Sequence, residues 1–106
     1  MKILITGGLG FIGSNLAKKC ITVGHNITIV DNFDKSCGGN IFNIDQVKDK
    51  LKLFNIDISN YKKIKPLILA NEIIINCAAK TSHSLSMRKP LDNHDSNSLG
   101  VMNILE

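Results

Sequence analysis

The sequence contains no tryptophan, a single tyrosine (Tyr61), two prolines and three cysteines among its 106 residues. The cysteines, Cys20, Cys37 and Cys77, are odd in number and widely spaced, and they form no CxxC pair. This pattern argues against a disulfide framework and against a zinc site. Cysteines of this kind are typical of a reducing compartment, so we expect a cytoplasmic protein without a bound metal.

Long hydrophobic runs are also missing. The first apolar run, residues 3–5, is too short for the core of a signal peptide, and no later run approaches membrane-spanning length. The net charge is +4, but Arg88 is the only arginine and the lysines form no block. Nucleic-acid recognition relies on arginine and stacking aromatics, so we expect neither nucleic acid nor a membrane as a partner. The positive charge mildly favours an anionic ligand such as a dinucleotide or a nucleotide sugar.

Glycine is instead concentrated in one stretch, residues 3–13, which contains Gly7, Gly8, Gly10 and Gly13. An apolar run precedes these glycines and an amphipathic segment follows them, which is the order strand, tight turn, helix. Glycine leaves no Cβ in the way of an anion, and the N–H groups of the first helical turn point at it. The stretch therefore predicts a pyrophosphate site; the alternative is a glycine-rich turn without a ligand.

The acidic residue that belongs to such a motif is Asp31, 18 positions after Gly13 at the end of the second apolar run. A carboxylate at this place can accept hydrogen bonds from both ribose hydroxyls of an adenosine, whereas it repels a 2′-phosphate. The sequence therefore predicts NAD rather than NADP as the ligand. The other interpretation is an aspartate that only ends the strand in a turn.

Strand and helix patterns alternate along the whole chain and predict an α/β fold with a parallel sheet. The strands are predicted over residues 2–6, 26–31, 51–56 and 73–75. The helices are predicted over residues 10–23, 40–50, 61–69 and 91–106. In the first helix, the apolar positions are Ile12, Leu16, Cys20 and Val23. Pro66 predicts that the third helix starts late, kinks or breaks.

Polar and small residues follow the third and fourth strands. Asp57 lies where a side chain could contact adenine, and residues 57–60 can equally form a turn and a helix N-cap; both can hold at once. The fourth strand leads into Asn76-Cys77-Ala78-Ala79. These small residues leave room for a ring or a phosphate against the backbone.

A series of further residues follows the glycine motif along the chain. It consists of Asp31-Asn32, Asp57-Ile58, Asn76-Cys77-Ala78-Ala79, Ser86-Met87, Pro90, Asn97, Gly100, Asn103, Leu105 and Glu106. Together with the glycine motif over residues 6–16, this series resembles the N-terminal half of an extended short-chain dehydrogenase/reductase. The resemblance is to the NAD-dependent epimerase/dehydratase family, which acts on nucleotide sugars. It runs the length of the chain.

The resemblance implies a partial NAD-binding Rossmann domain over residues 1–106, with a doubly wound parallel sheet of about four strands in the order 3-2-1-4. The cofactor-binding residues that it implies are Gly7, Gly10, Phe11, Ile12, Gly13, Asp31, Asn32, Asp57, Ile58, Ala78, Ala79, Lys80 and Asn97. The residues that it implies for the sugar-binding loop are Ser82, His83 and Ser84. Of the cofactor set, Ala78, Ala79 and Lys80 would lead toward the nicotinamide, and Asn97 would face the active site.

The sequence departs from the family in two respects. Histidine is common in the family where Asn76 stands. The family's catalytic Ser or Thr and its YxxxK pair follow a fifth strand and have no counterpart here. The residues Tyr61 to Lys65 have YxxxK spacing but precede the fourth strand, so we interpret them as a solvated, lysine-rich helix face. We likewise interpret His83 and His94 as facing solvent, and we assign no catalytic residue.

These observations predict the NAD-binding N-terminal part of a nucleotide-sugar epimerase or dehydratase, inactive by itself. In such enzymes a sugar hydroxyl is transiently oxidised by hydride transfer to NAD. The alternatives are a non-catalytic dinucleotide-binding module or subunit, and an inert remnant. Because the fourth strand would form an apolar edge of the sheet, we also expect self-association through it.

Overall fold

The computed structural model of the chain describes residues 1–33, 40–78 and 100–105. Within these ranges the strands form one parallel sheet in the order β3-β2-β1-β4. The strands are β1 (Lys2–Thr6), β2 (Asn26–Asp31), β3 (Leu51–Asn55) and β4 (Ile73–Asn76). The predicted α/β class, the four strands and their order are confirmed, and the sheet is Rossmann-like.

Helices cover both faces of the sheet. The described helices are α1 (Phe11–Thr22), α2 (Tyr61–Leu69) and α3 (Gly100–Leu105). Ala17 of α1 packs in a cluster with Ile3 and Ile5 of β1, whereas Ile64 of α2 packs in a second cluster with Leu4. Since neighbouring residues of a strand point to opposite faces, α1 and α2 lie on opposite sides of the sheet. None of the helices in the described ranges is long and apolar enough to cross a membrane.

The strand sequences are almost continuously apolar because the two central strands are covered on both faces. Residues 3–6 of β1 and residues 27–31 of β2 are all buried. In the register of the sheet, Thr6 lies between Val30 and Asn76. The carboxyl ends of β1, β2 and β4 therefore meet at one edge, which is where the candidate site lies.

The face that α1 buries differs from the prediction. Ile12 is 70% exposed and Val23 is 61% exposed, so the expectation that they point inward was wrong. The buried residues of the helix are Gly13, Ser14 and Ala17. Gly13 has to approach the turn that precedes the helix, and this contact sets the rotation of the helix about its axis. Ile12, one residue earlier and about 100° away around the axis, is turned toward solvent.

The predicted helix over residues 40–50 was also wrong: two 3-10 turns, Ile41–Ile44 and Lys48–Lys50, occupy this segment. Asparagine, aspartate and β-branched residues are weak α-helix formers, and they make up most of the segment. The side chains also bond locally, since the Asn40 carboxamide oxygen accepts the N–H of Phe42 at 2.9 Å. Ile44 is fully buried and secures the first turn to the core.

The helix α2 is continuous over the predicted residues despite Pro66, so it neither starts late nor breaks. Proline lacks the N–H that would bond the carbonyl four residues earlier, here that of Lys62. Lys62 is exposed, which lets water bond this carbonyl instead. Ile64 is fully buried and Leu67 and Ile68 are partly buried against the same cluster, as predicted. Of the predicted helix over residues 91–106, the structure describes only α3.

Candidate functional site

The candidate site is the crevice between the ends of β1 and β4; α1, which follows β1, packs on one face of the sheet, and α3, the next described helix after β4, packs on the other. In doubly wound sheets, ligands bind at such a switch in strand order, outside the carboxyl ends of the strands. Two main-chain hydrogen bonds join the elements here: Gly7 N–H to the Val30 carbonyl at 2.8 Å, and Cys77 N–H to the Thr6 carbonyl at 2.9 Å. The glycine turn is thus tied to both neighbouring strands.

The turn needs glycine at position 7 for two reasons. Gly7 has φ of 69°, in the left-handed region, where a side chain is strained. A Cβ on Gly7 would also lie 2.7 Å from the backbone nitrogen of Ala78. The turn can therefore pack directly on the end of β4 only because residue 7 has no side chain.

Gly13 and Gly10 differ in what surrounds them. A Cβ on Gly13 would overlap the Gly7 carbonyl oxygen and lie 2.9 Å from the Gly8 Cα, so Gly13 permits close packing of α1 on the turn. A Cβ on Gly10 would meet only the Gly7 carbonyl oxygen, at an ordinary 3.5 Å. No packing within the described residues requires glycine at position 10, and among these residues nothing but that oxygen approaches the space beside its Cα.

The N-terminus of α1 borders this space, since Gly10 is its N-cap. An α-helix leaves its first N–H groups without intrahelical acceptors, and here these belong to Phe11, Ile12 and Gly13. Gly10 is the N-cap and offers no side chain to bond them, and the first turn carries no acidic residue. The positive end of the helix dipole is therefore available to an anion.

Asp31 joins the end of β2 to the glycine turn. Its carboxylate accepts the N–H of Leu9 at 3.1 Å and the N–H of Phe33 at 2.8 Å, and the residue is only 8% exposed. Phe33 has φ of 63°, which a residue with a side chain rarely adopts. Asp31 thus has the turn-forming role that the sequence left open. Each carboxylate oxygen keeps further acceptor capacity for a ligand, so the ribose contact stays a prediction.

Two asparagines that the sequence analysis did not single out bond the same turn from the other side. The Asn43 side chain donates from Nδ2 to the Leu9 carbonyl oxygen at 2.7 Å, and the Asn40 N–H donates to that oxygen at 3.2 Å. Leu9 is fully buried. Asn43 lies 34 positions from Leu9 in a segment expected to be helical, so no local pattern could indicate this contact.

A small network links the ends of β1 and β4. The buried Thr6 hydroxyl donates to Asn76 Oδ1 at 2.5 Å, and the Ala78 N–H lies 3.3 Å from that oxygen and 3.4 Å from the Thr6 hydroxyl. Asn76 thus connects the two strands at the position where the resemblance led us to expect histidine. Burial raises the pKa of the Cys77 thiol, which keeps it neutral near pH 7. A neutral thiol is a poor nucleophile, so Cys77 has a packing role.

Asp57 and Ile58, the residues predicted near adenine, follow β3. Asp57 is exposed and its Oδ1 accepts from the N–H and the hydroxyl of Ser59, at 2.9 and 2.8 Å. Asn60 is the N-cap of α2, so the predicted turn and cap are both present. Ile58 is 4% exposed and packs with Leu4 and Ile64. Any contact of Ile58 with a ligand would therefore involve its backbone, while the Asp57 carboxylate is accessible.

The sequence matches the family model described as GDP-mannose 4,6 dehydratase over residues 4–106. The chain belongs to this family. It is 37% identical to Protein CapI of Staphylococcus aureus, over 100% of this chain and 33% of that protein. The predicted resemblance to NAD-dependent nucleotide-sugar epimerases and dehydratases is thereby confirmed.

Solved structures of the family superpose closely on this fold. The UDP-glucose 4-epimerase of Thermotoga maritima, determined with UDP-glucose, has a TM-score of 0.87 and 28% identity, over 99% of this chain and 33% of that one. The UDP-glucose 4-epimerase of Thermus thermophilus, in complex with NAD, has a TM-score of 0.84 and 26% identity, over 99% of this chain and 32% of that one. The chain spans about a third of the length of the relatives it matches.

Tyr61 and Lys65, which imitate the family's YxxxK spacing, contact each other on α2. The Lys65 Nζ lies 5.5 Å from the centroid of the Tyr61 ring. This distance is within the range of a cation–π contact, and Lys65 is exposed. The pair therefore forms a surface contact, in agreement with its interpretation as a solvated helix face.

Several predicted site residues lie outside the described residues. They are Ala79, Lys80, Ser82, His83, Ser84 and Asn97, together with His94. Their assignments stay predictions.

A second concavity lies at the opposite, amino-terminal edge of the sheet. It has a volume of about 550 Å³ and is lined by residues that include Lys2, Asn26, Lys52, Phe54 and Leu67. It contains none of the predicted site residues. The chemistry of the glycine turn, rather than the size of a cavity, therefore identifies the candidate site.

Proposed function

We propose that the chain binds NAD through the cofactor's adenosine diphosphate half at the glycine turn. The observation that carries this proposal is the N-terminus of α1, which no side chain caps and which begins at Gly10, where an added Cβ would meet only the Gly7 carbonyl oxygen among the described residues. Backbone donors, a helix dipole and the absence of a Cβ are what a pyrophosphate needs for close approach. The residues present therefore fit this cofactor, and the family's Thermus thermophilus structure in complex with NAD supports the assignment.

The remaining contacts follow from the geometry of the turn. We assign the pyrophosphate to the N–H groups of Phe11, Ile12 and Gly13. The adenosine ribose would lie against Asp31 and Asn32, at the end of β2. The exposed Asp57 carboxylate would contact the adenine, together with the backbone of Ile58.

For the whole protein we propose a nucleotide-sugar epimerase or dehydratase. Bound NAD would supply a hydride acceptor for a sugar hydroxyl. The predicted sugar-loop residues Ser82, His83 and Ser84 belong to this proposal, as do Ala79, Lys80 and Asn97 on the cofactor. Tyr61 is the only tyrosine in the 106 residues, and Lys65 lies over its ring on α2. We therefore propose that the 106 residues by themselves do not complete turnover. A non-catalytic dinucleotide-binding module would use the same turn.

Binding of NAD is the first test of the proposed function. At a concentration of ten times its Kd, NAD should raise the melting temperature of the 106-residue chain by roughly 6–11 °C, because a ligand that binds only the folded state stabilises it by mass action. NADP should give a clearly smaller shift, since its 2′-phosphate meets the Asp31 carboxylate. Differential scanning fluorimetry with both nucleotides measures the difference.

Nicotinamide mononucleotide, which lacks the adenosine and one of the two phosphates, is the control and should cause a clearly smaller shift than NAD. Equal shifts with NAD and NADP would contradict the assignment of Asp31 to the ribose. Millimolar NAD without any effect would contradict the proposed function.

We also propose that the chain self-associates through the free edge of β4. Within the described residues β4 pairs only with β1, and its three consecutive isoleucines include Ile73, which is 37% exposed. An unpaired apolar edge strand is a template for pairing with another chain. Light scattering should therefore show species larger than a monomer, and Ile73→Lys should shift them toward the monomer because an edge charge disfavours pairing. A monodisperse monomer for the unmodified chain would contradict this proposal.

A reducing cytoplasm remains the proposed location. The thiols of Cys20 and Cys77 are both free, which supports it.

A further inference from the structure

We propose that Asn43 is a positioning residue for the phosphate-binding turn. In this role its side-chain amide holds the Leu9–Gly10 peptide so that the turn presents N–H groups, and not a carbonyl, to an anion. The inference rests on the proposed function, and it assigns the specificity of the turn for phosphate to a side chain in the 3-10 segment Ile41–Ile44.

Hydrogen bonds hold the Leu9–Gly10 peptide at both ends. The Leu9 carbonyl oxygen accepts from Asn43 Nδ2 at 2.7 Å and from the Asn40 N–H at 3.2 Å. The other end of the peptide, the Gly10 N–H, donates to the Gly7 carbonyl at 3.2 Å. The preceding peptide is held as well, because the Leu9 N–H donates to Asp31. Asn43 is the only side chain among the described residues shown bonding the Leu9 carbonyl.

The orientation of this peptide decides which sign of charge the turn presents. A peptide that precedes glycine can flip at little steric cost, because glycine accepts positive as well as negative φ. A flip would turn the partly negative Leu9 carbonyl away from Asn43, toward the space in front of α1, and it would repel a phosphate placed there. The Asn43 donor opposes this flip because the flip would break its bond to the carbonyl.

The test compares Asn43→Asp with a matched control, Asn71→Asp. Asn71 makes the same type of bond at the same distance, from Nδ2 to the Leu67 carbonyl at 2.7 Å, and it lines the concavity at the opposite edge of the sheet. Both variants add one negative charge and replace a donor by an acceptor. Asn43→Ala is included as well, because it removes the donor without adding charge.

Isothermal titration with NAD, ADP and adenosine separates positioning from general stability. We expect Asn43→Asp to lower the affinity for NAD and for ADP at least fivefold. Asn43→Ala should lower both affinities at least threefold, as the loss of one such hydrogen bond allows. The affinity for adenosine, which has no phosphate, should change less than twofold in both Asn43 variants. Asn71→Asp should change the affinity for NAD, ADP and adenosine by no more than twofold. Amide hydrogen exchange should also be faster at Gly10 in both Asn43 variants and unchanged in Asn71→Asp.

The possible failures are distinguishable. If the unmodified chain binds NAD and both Asn43 variants bind it equally well, the positioning role is wrong and the proposed function stands. If the affinities for NAD and for adenosine fall together, Asn43 only supports the fold, and the positioning role is again wrong. If the unmodified chain binds neither NAD nor ADP, the proposed function fails and this role fails with it.

Discussion

Replacing Gly13 by alanine should destabilise the chain by about 2 kcal/mol, out of the 5–15 kcal/mol that is usual for a domain. The added Cβ would overlap the Gly7 carbonyl oxygen and lie 2.9 Å from the Gly8 Cα. Both neighbours are backbone, so they cannot turn aside, and forcing α1 off the turn costs roughly 3 kcal/mol. Alanine regains about 1 kcal/mol because it is the better helix former, which is too little to offset the overlap. Urea denaturation followed by circular dichroism measures the loss.

Gly10→Ala is the matched control, because it makes the same change three residues earlier. Its Cβ would meet the protein only at an ordinary distance of 3.5 Å, and Gly10 has φ of −76°, which alanine adopts freely. We expect its stability to stay within about 0.5 kcal/mol of the unmodified chain. Its affinity for NAD should nevertheless fall about tenfold or more, because the Cβ projects into the space assigned to the pyrophosphate. Equal stability losses in the two variants would contradict this division of roles.

Asp31→Ala should both weaken the fold and abolish NAD binding. The carboxylate bonds two backbone N–H groups, and the donor from Leu9 belongs to a fully buried residue. Hydrogen bonds to a charged group contribute about 1.5–3 kcal/mol, and a buried N–H left without an acceptor adds its desolvation cost. We therefore expect the free energy of unfolding, measured by urea denaturation, to fall by at least about 3 kcal/mol. A titration with NAD should in addition show the loss of the ribose contact.

Asp31→Asn serves to separate the two effects, because it keeps the shape of the side chain and one acceptor oxygen. It should lose less stability than Asp31→Ala, and it should reduce the preference for NAD over NADP because the repulsive charge is gone. An Asp31→Ala chain with unchanged stability would show that the two backbone bonds contribute little. An Asp31→Ala chain that still binds NAD would remove Asp31 from the site.

The parts of the fold that the sequence predicted correctly are those set by local patterns. Strands such as β1 are continuously apolar because both faces are buried, and that pattern stands in the sequence without reference to any partner. The glycine turn was predictable for a similar reason, since few residue types other than glycine tolerate its backbone. Asp31 could be placed beside the turn because the ends of adjacent parallel strands meet at one edge.

The errors arose where residues distant in sequence decide the outcome. Ile12 was expected inside because of its spacing, yet the contact of Gly13 with the turn rotates it outward to 70% exposure. The segment that contains Asn43 was expected to be helical, yet its side-chain bond to Leu9 and the burial of Ile44 hold it in 3-10 turns. Helical periodicity indicates that a helix has an apolar face, but not how that helix is rotated against a turn of this kind.

The sequence by itself determined the alternation of strands and helices, the glycine turn and the family, because each of these is carried by residue patterns and motifs along the chain. Only the tertiary structure decided how the turn is held. The carboxylate of Asp31 and the amide of Asn43 bond opposite ends of the same residue, Leu9, across 22 and 34 positions of sequence. Such contacts follow from packing in three dimensions, so they leave no periodic signal in the chain that forms them.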